Sequence, residues 1–454
     1  METTLSNSKQ TGSLDYRRLI PILVIVLVDV MGLTILMPIL PYYVLAFDAS
    51  PFVIGLLIST YPVMQLIFVP ILGSLSDRVG RKPVLAVAQV GTFISLLILG
   101  FAHTLWLVFF SQIIDGITGA NLATVRSAMA DSTSPQNRAK GLGLIGAVFG
   151  IGFLLGPVLS GVALRLSGNN YSAPAFAAAG FAFVSIILTT FVFKETLPPK
   201  KRSSQPVERK SFGQMIKALH DPNLGILMTL IFNLRFQFGI FTAVFAPFML
   251  SRLGLDSFGT AIIFILFGLV SVVVQGGLIG RLSQQFGERQ LVLAGMVLYA
   301  LGFFLMGFTP EQTVPWYSRD VVIEELSQTT GTAPEAQLAL LPEDGGNGVT
   351  GLFLMIAFLA PVPIGYALLQ PSLNSLVTKR VEPQNVGQAL GVGAAFMSAG
   401  TVLGPIIGGF LFTMVGAAAP FIINGVIGFI LYLLARQRLT PRPDDVYSDL
   451  AAET

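Results

Sequence analysis

Apolar residues occur in twelve long stretches along the chain, separated by short polar segments. In order they cover residues 19–40, 53–72, 84–102, 105–126, 141–164, 174–193, 224–250, 258–280, 290–308, 350–378, 387–414 and 418–436. Each stretch is long enough for a helix that crosses a bilayer, which takes about 20 mostly apolar residues. The pattern predicts an all-α membrane protein of twelve transmembrane helices, which we number as spans one to twelve.

The composition agrees with a membrane protein and excludes a soluble multidomain enzyme. Hydrophobic residues make up 53% of the 454 residues and charged residues 11%, whereas a soluble domain carries about 25% charged residues. The chain has no cysteine and two histidines, so it offers no thiolate and few imidazole ligands for a metal. The sequence therefore predicts a protein that is not an enzyme and that holds no metal or other cofactor.

The basic residues are divided unevenly between the two sides of the expected membrane. Of the 27 lysines and arginines, 23 lie on the side of the two termini, whereas Arg165, Arg252 and Arg319 lie on the other side and Arg235 lies within a span. Positive charge collects on the cytoplasmic side of membrane proteins. We therefore expect a multi-pass protein of the cell membrane with both termini cytoplasmic. The basic pI near 9.1 reflects this topology, and we expect the lipid bilayer rather than a nucleic acid as a partner.

The first six spans resemble the last six in sequence. An offset of 248 residues carries one glycine-rich motif onto another, namely Gly152, Gly156-Pro157 and Gly161 onto Gly400, Gly404-Pro405 and Gly409. The segment after span two repeats after span eight at an offset of 207 residues. The difference between the two offsets, 41 residues, indicates an insertion in the second half, which we assign to the acidic segment 310–348. We expect this insertion to be a solvated loop on the outer side.

The repeat and the polar breaks define the organisation of the chain. Two six-helix halves in the same orientation are typical of transporters whose substrate site lies between the halves. The expected segments are a cytoplasmic tail at 1–18, the first half at 19–193, a cytoplasmic linker at 194–222, the second half at 223–436 and a cytoplasmic tail at 437–454.

A string of glycines and charges separates spans two and three: Gly73-Ser74-Leu75-Ser76-Asp77-Arg78-Val79-Gly80-Arg81-Lys82. One interpretation is a cytoplasmic anchor, with a tight turn in which both glycines supply positive φ. The other is a charge latch that binds neighbouring acids in one conformational state. The string resembles the loop signature of the major facilitator superfamily. This resemblance implies a latch formed by Gly73, Asp77, Arg78, Gly80, Arg81, Asp131 and Arg138.

A second motif lies in span five and consists of Gly143, Gly152, Gly156, Pro157 and Gly161. Small residues four apart let helices approach closely and proline bends a helix, so ordinary packing also explains the motif. It resembles the fifth-helix motif of twelve-span drug–proton antiporters. With the run from Gly32 to Pro41 and the residues 116–120, the chain most resembles the tetracycline–proton antiporters. This family often has an arginine where this chain has Gln112.

Three charged residues lie near the middle of predicted spans: Asp29, Asp115 and Arg235. A charge at the bilayer centre costs about 2.5–3.5 kcal/mol on insertion scales, so such residues usually face a partner or a water-filled cavity. A structural salt bridge is one interpretation. Because two acids and one base leave a carboxylate uncompensated, we favour proton coupling through Asp29 or Asp115, and prefer Asp29 because it precedes the motif in span one.

Polar and aromatic residues near these charges are candidates for contacting a substrate. They lie on spans four, seven and ten: Gln112, Asn121, Asn233, Phe236, Gln237, Tyr366, Gln370 and Asn374. Each polar residue is equally suited to bridging two helices.

The resemblance implies a proton-coupled antiporter that exports a small, partly apolar, drug-like compound by alternating access, with substrate and protons as partners and without an obligate protein partner. Two other functions fit the sequence. A sugar or metabolite uniporter or symporter would share the fold without the antiport of protons. A non-transporting membrane receptor would use the insertion 310–348 to bind a partner.

Overall fold

The computed structural model describes residues 16–119, 121–133, 138–198, 219, 221, 224–327, 331, 335–343, 345, 347–382 and 386–439. Most of the linker and most of both tails lie outside these residues.

Eleven helical stretches of the described chain are long and apolar enough to cross a membrane. They are Leu19–Ala46, Pro51–Val79, Arg81–Gly100, Leu105–Asp131, Leu144–Leu166, Ser172–Val192, Gly225–Leu253, Ser257–Met306, Thr350–Lys379, Val386–Met414 and Ala419–Arg438. The stretch Ser257–Met306 has 50 residues, and a helix of that length would measure about 75 Å, more than twice the apolar thickness of a bilayer. Its backbone is non-helical at Gly287, so it forms spans eight and nine. The twelve-helix fold is thereby confirmed.

Several spans consist of two helices. Span one contains Tyr16–Ile35 and Leu40–Ala46, span four contains Leu105–Thr118 and Asn121–Asp131, and span ten contains Thr350–Leu359 and Pro361–Lys379. The predicted end of span one at residue 40 was wrong, because a second helix follows the break. Pro38 has no N–H and disfavours helical backbone at the residue before it, whereas Pro41 fits the first turn of the new helix.

The segment after span two is not the two-glycine turn that we expected. Helix Pro51–Val79 continues through Gly73, and the chain turns at Gly80, where φ is +116°. Span four likewise extends beyond its predicted end at residue 126, so that Arg126, which the charge count includes on the side of the termini, lies within helix Asn121–Asp131. In these spans the apolar stretch ends before the helix does, so the length of the stretch underestimates the length of the helix.

Each half contributes one glycine-rich helix that packs against both halves. In span five, a side chain on Gly152 or Gly156 would collide with span one, and the backbone at Phe153 lies against Gly268 of span eight. In span eleven, Gly400 and Gly404 pack against span seven in the same way, and Gly409 packs against span two. The sequence repeat therefore corresponds to a structural repeat that relates the two halves.

The two halves contact each other closely at the end of the bundle that carries the insertion, which we call the insertion end. Gly55 of span two packs against the backbone of Pro405, and the Ser59 hydroxyl donates a hydrogen bond to the Val402 carbonyl at 2.7 Å. The Phe52 N–H donates to the Thr413 hydroxyl at 3.1 Å. Small side chains and shared hydrogen bonds thus close the bundle at this end.

The same helix faces diverge toward the opposite end, which we call the linker end because spans six and seven end and begin there. Leu66 follows Ser59 by two helical turns and is 51% exposed, and a side chain on Gly73 would meet nothing within 4 Å. Spans five and eight show the same divergence. Gly150 still lies beside Val272, but Gly146 and Gly276, one turn further, face open space. The cavity between the halves therefore opens at the linker end.

The described parts of the insertion pack onto the bundle, so the expectation of a solvated loop was wrong. The backbone N–H groups of Gln312 and Val314 donate to the carbonyls of Arg252 and Leu253, at 3.0 and 2.9 Å. Helix Arg319–Ser327 buries Leu326 completely. The acidic residues of this helix indicate a solvated segment, but Val322, Glu325 and Leu326 share one buried face, whereas Asp320, Val321 and Glu324 are exposed.

Candidate functional site

Arg81 is the centre of the charged cluster between spans two and three. Its guanidinium group forms ion pairs with Asp77 at 2.6 Å and with Asp131 of span four at 3.0 Å, and donates to the Ser76 hydroxyl at 3.2 Å. The residue is 7% exposed. Arg81 thus joins the end of span two to the ends of spans three and four. Arg138 begins span five, but its side chain lies outside the described part of the chain.

Glu195 completes this cluster and was missed by the sequence analysis. Its carboxylate accepts the N–H groups of Arg81 at 2.9 Å and Lys82 at 3.1 Å, at the start of span three. Burial acts to raise the pKa of Glu195, but the backbone N–H groups of Leu197, Arg81 and Lys82 prevail and lower this pKa below its ordinary value. The only sequence signal was an acid shortly after span six. Acids are favoured near the N-terminal ends of many helices, so this one was not distinctive.

The second half contains a copy of this cluster with the charges exchanged. The offset of 207 residues carries Arg81 onto Glu288, and the offset of 248 carries Asp131 onto Lys379. Glu288 and Lys379 form an ion pair at 2.9 Å, and the Ser375 hydroxyl donates to Glu288 at 3.0 Å. Gly287 has positive φ like Gly80. The repeat offsets contained this information, but the exchange of charge concealed it from a comparison of residue types.

The two intramembrane acids lie inside the first half. The Ser185 hydroxyl of span six donates to Asp29 at 2.6 Å and itself accepts from the Gln89 amide of span three at 2.6 Å. The other oxygen of Asp29 is buried and has no hydrogen-bond partner among the described residues. Asp115 lies near enough for the two carboxylates to interact electrostatically. Two neighbouring carboxylates that are both partly buried within the membrane are suited to sharing a proton.

Span two contributes two further residues to this acidic region, and the sequence analysis named neither. The hydroxyl of Tyr61 lies within electrostatic range of both Asp29 and Asp115. The Gln65 amide donates to the Tyr61 hydroxyl at 2.6 Å and to the Gly119 carbonyl at 2.9 Å, at the break in span four. Both residues lie in an apolar stretch where a single polar side chain gave no distinctive pattern.

Arg235 does not form the salt bridge that we had considered. No carboxylate of the described residues lies within 4.0 Å of its guanidinium group. The group lies 6.0 Å from the centre of the Tyr366 ring, and its charge repels that of Arg126 from the first half. The acids are thus separated from Arg235, because they are held within the first half by spans three and six.

The polar candidates fall into two sets. Tyr366, Gln370 and Asn374 follow one face of span ten at intervals of four residues and are partly exposed. Gln237, by contrast, is 1% exposed and donates to the Asn424 carbonyl of span twelve at 2.8 Å, so it bridges two helices. The remaining candidates are largely buried or have a buried polar atom: Gln112, Asn121, Asn233 and Phe236.

The glycines of span five lie against the residues that follow Asp29. The Thr34 hydroxyl donates to the Gly152 carbonyl at 2.9 Å, and a side chain on Gly156 would collide with Thr34. Gly161 lies beside Phe258 of span eight, and Gly143 lies in the same continuous helix, Arg138–Leu166. The motif thus connects the span that carries Asp29 to the second half.

The fold and these clusters define a membrane transporter built from two pseudo-symmetric halves. The sequence matches the Major Facilitator Superfamily over residues 22–323 and 336–452, and the chain belongs to this family.

Similar proteins include two from Escherichia coli. The chain is 32% identical to the class B tetracycline resistance protein over 64% of this chain and 72% of that protein. It is 28% identical to the class C tetracycline resistance protein over 92% of this chain and 94% of that protein. A crystal structure of a human organic anion transporter has the same fold, with a TM-score of 0.60 and 19% identity over 93% of this chain and all of that one.

Proposed function

We propose that this protein is a proton-coupled antiporter that exports a small, partly apolar, drug-like compound by alternating access. The observation that carries the proposal is the pair of partly buried intramembrane acids, Asp29 and Asp115, inside one half of a bundle that opens at a single end. Membership of the superfamily and the similarity to tetracycline resistance proteins support export of a drug-like compound.

The linker end faces the cytoplasm in this proposal, and the protein lies in the cell membrane. The uneven distribution of lysine and arginine supports this orientation. The structure then corresponds to an inward-open state, in which the compound enters from the cytoplasm. Tyr366, Gln370 and Asn374 line its path, with Arg235 and Arg126 at the wall.

Proton coupling follows from where the acids are held. Asp29 contacts span six through Ser185. Span one, which contains Asp29, packs against the glycines of span five. A change in the protonation of Asp29 therefore alters the packing of spans one and five, and span five also contacts span eight of the other half. The clusters at Arg81 and Glu288 act as latches that hold the helix ends of each half together while the halves move.

Reconstitution of the purified protein in liposomes with an imposed pH gradient tests the proposal. We expect a candidate drug, beginning with tetracycline, to move against its own gradient while protons move the other way, as reported by a pH-sensitive dye. Movement of the compound down its gradient without protons would instead identify a uniporter. Binding without movement would identify a receptor.

A further inference from the structure

The insertion carries a buried carboxylate that joins both halves of the protein. Glu325 lies in helix Arg319–Ser327 and is 3% exposed. One of its oxygens accepts the Ser257 hydroxyl at 2.6 Å and the Tyr171 hydroxyl at 2.8 Å, and the other accepts the Asn169 amide at 3.4 Å. Tyr171 and Asn169 precede span six in the first half, and Ser257 begins span eight in the second half.

The neighbours of Glu325 belong to the contact that closes the insertion end. The Tyr42 ring of span one stacks on the Tyr171 ring, with 6.4 Å between centroids. The Tyr42 hydroxyl donates to the Leu255 carbonyl at 2.7 Å and is hydrogen-bonded to the Thr260 hydroxyl at 2.7 Å. Separation of the halves at this end would therefore break the contacts of Glu325 and expose it to water.

The electrostatic surroundings of Glu325 favour its neutral form. No cation of the described residues lies within 4.0 Å, and the charge of Asp256 adds repulsion. Burial and Asp256 raise the pKa of Glu325 to about 7, although the hydroxyl groups of Ser257 and Tyr171 act in the opposite direction. Among the described residues, the remaining titratable group that faces Glu325 is the phenol of Tyr42, which supplies no positive charge to stabilise the ionised form.

We propose that Glu325 is a second proton-binding site, which holds the two halves together at the insertion end when it is protonated and releases them when it is ionised. The site lies outside the spans and is distinct from the acids of the first half. Its physiological direction depends on the proposed function, because that function places the insertion end on the outer face.

The direction of the effect follows from proton linkage. The pKa of Glu325 is about 7 in the closed arrangement, and exposure to water would return it to the ordinary value of 4.5. The closed arrangement therefore binds the proton more tightly, so acid stabilises it and this stabilisation is lost as the pH rises from about 4.5 to about 7. In an exporter, acid outside the cell would then close the insertion end once Glu325 has bound a proton.

The absence of cysteine from the chain makes a direct test possible. Ser59→Cys places a thiol at the closed contact, where Ser59 is 2% exposed, and Trp316→Cys places a reference thiol at an exposed site of the insertion. The proteins are labelled with a maleimide in lipid nanodiscs, without substrate, between pH 5 and pH 8. The ratio of the two labelling rates cancels the intrinsic pH dependence of the reagent.

We expect the Ser59→Cys labelling ratio to rise at least about fivefold from pH 5 to pH 8. The additional change Glu325→Gln should keep the ratio low at every pH, because the amide is always neutral. Glu324→Gln, which removes the exposed acid next to it, should leave the rise unchanged. Tyr171→Phe removes a donor that stabilises the ionised form, so it should shift the midpoint of the rise to higher pH.

A ratio that does not change with pH in the parent protein would overturn the proposal, and so would an unchanged rise in Glu325→Gln. If Glu325→Gln does not fold, the decision rests on the midpoints of Tyr171→Phe and Ser257→Ala: upward shifts support the proposal and unchanged midpoints contradict it. Because the assay involves no transport, failure of drug export in liposomes together with a normal pH profile would refute only the antiporter function.

Discussion

At the scale of single residues, polar side chains from neighbouring spans surround the two acids that lie inside the apolar spans. Asp29 and Asp115 can be identified from the sequence because an acid in an apolar stretch is costly, and both are partly buried. The partners Ser185, Gln89 and Tyr61 could not be found in this way, since isolated polar residues in a span carry no periodic pattern. They come from spans six, three and two, respectively, and tertiary packing alone brings them together.

Neutralising these acids tests their role. We expect Asp29→Asn or Asp115→Asn to reduce pH-driven uptake in everted vesicles to the level of vesicles without the protein, because the amide cannot exchange a proton. Exchange of labelled for unlabelled compound, which needs no net proton movement, should persist. Asp320→Asn, at an exposed position of the insertion, is the matched control and should keep normal uptake. Full uptake in both intramembrane variants would refute the assignment.

At the scale of secondary-structure elements, the repeat predicted where helices meet but not how charges pair. The glycine motifs of spans five and eleven occupy equivalent contacts, as the offset of 248 residues indicated. The clusters at Arg81 and Glu288 are also equivalent, yet their charges are exchanged. An ion pair tolerates this exchange because its attraction is unaltered when both signs change.

The exchanged pair yields a prediction about stability. Glu288→Gln should lower the free energy of unfolding by about 1–3 kcal/mol, because Lys379 loses its buried partner. The double exchange Glu288→Lys with Lys379→Glu should recover most of this loss, as measured by thermal unfolding in detergent. Glu311→Gln breaks an exposed ion pair with Arg252 and should change stability by less than about 1 kcal/mol. Equal losses in the single and double variants would show that the pairing itself is unimportant.

At the scale of the whole molecule, closure of one end depends on a few close contacts between the halves. Gly55 lies so near the backbone of Pro405 that no side chain fits between them, whereas Gly73 of the same helix faces open space. The protein is therefore closed where the backbones of the two halves pack directly against each other and open where the helices diverge.

Replacing Gly55 by a larger residue should open the insertion end. Gly55→Leu should favour the state open at the insertion end by about 1–3 kcal/mol, the usual cost of overpacking, which corresponds to roughly a 5- to 150-fold change in population. Spin labels at Phe101→Cys and Val415→Cys, exposed positions of the two halves at this end, should then move apart by several ångströms. Gly73→Leu should leave the label distance unchanged. An unchanged distance in Gly55→Leu would contradict this account of closure.

The sequence by itself determined the number of spans, the two halves, the family resemblance and the positions of the intramembrane acids. These features depend on apolar length, on repeat offsets and on the high cost of charge in a membrane, all of which act locally along the chain. Only the tertiary structure decided which residues hold Asp29, that Arg235 stands apart from the acids, that charges are exchanged between the halves and that the insertion buries Glu325. These contacts join residues far apart in sequence, and their energy depends on packing geometry that no local pattern encodes.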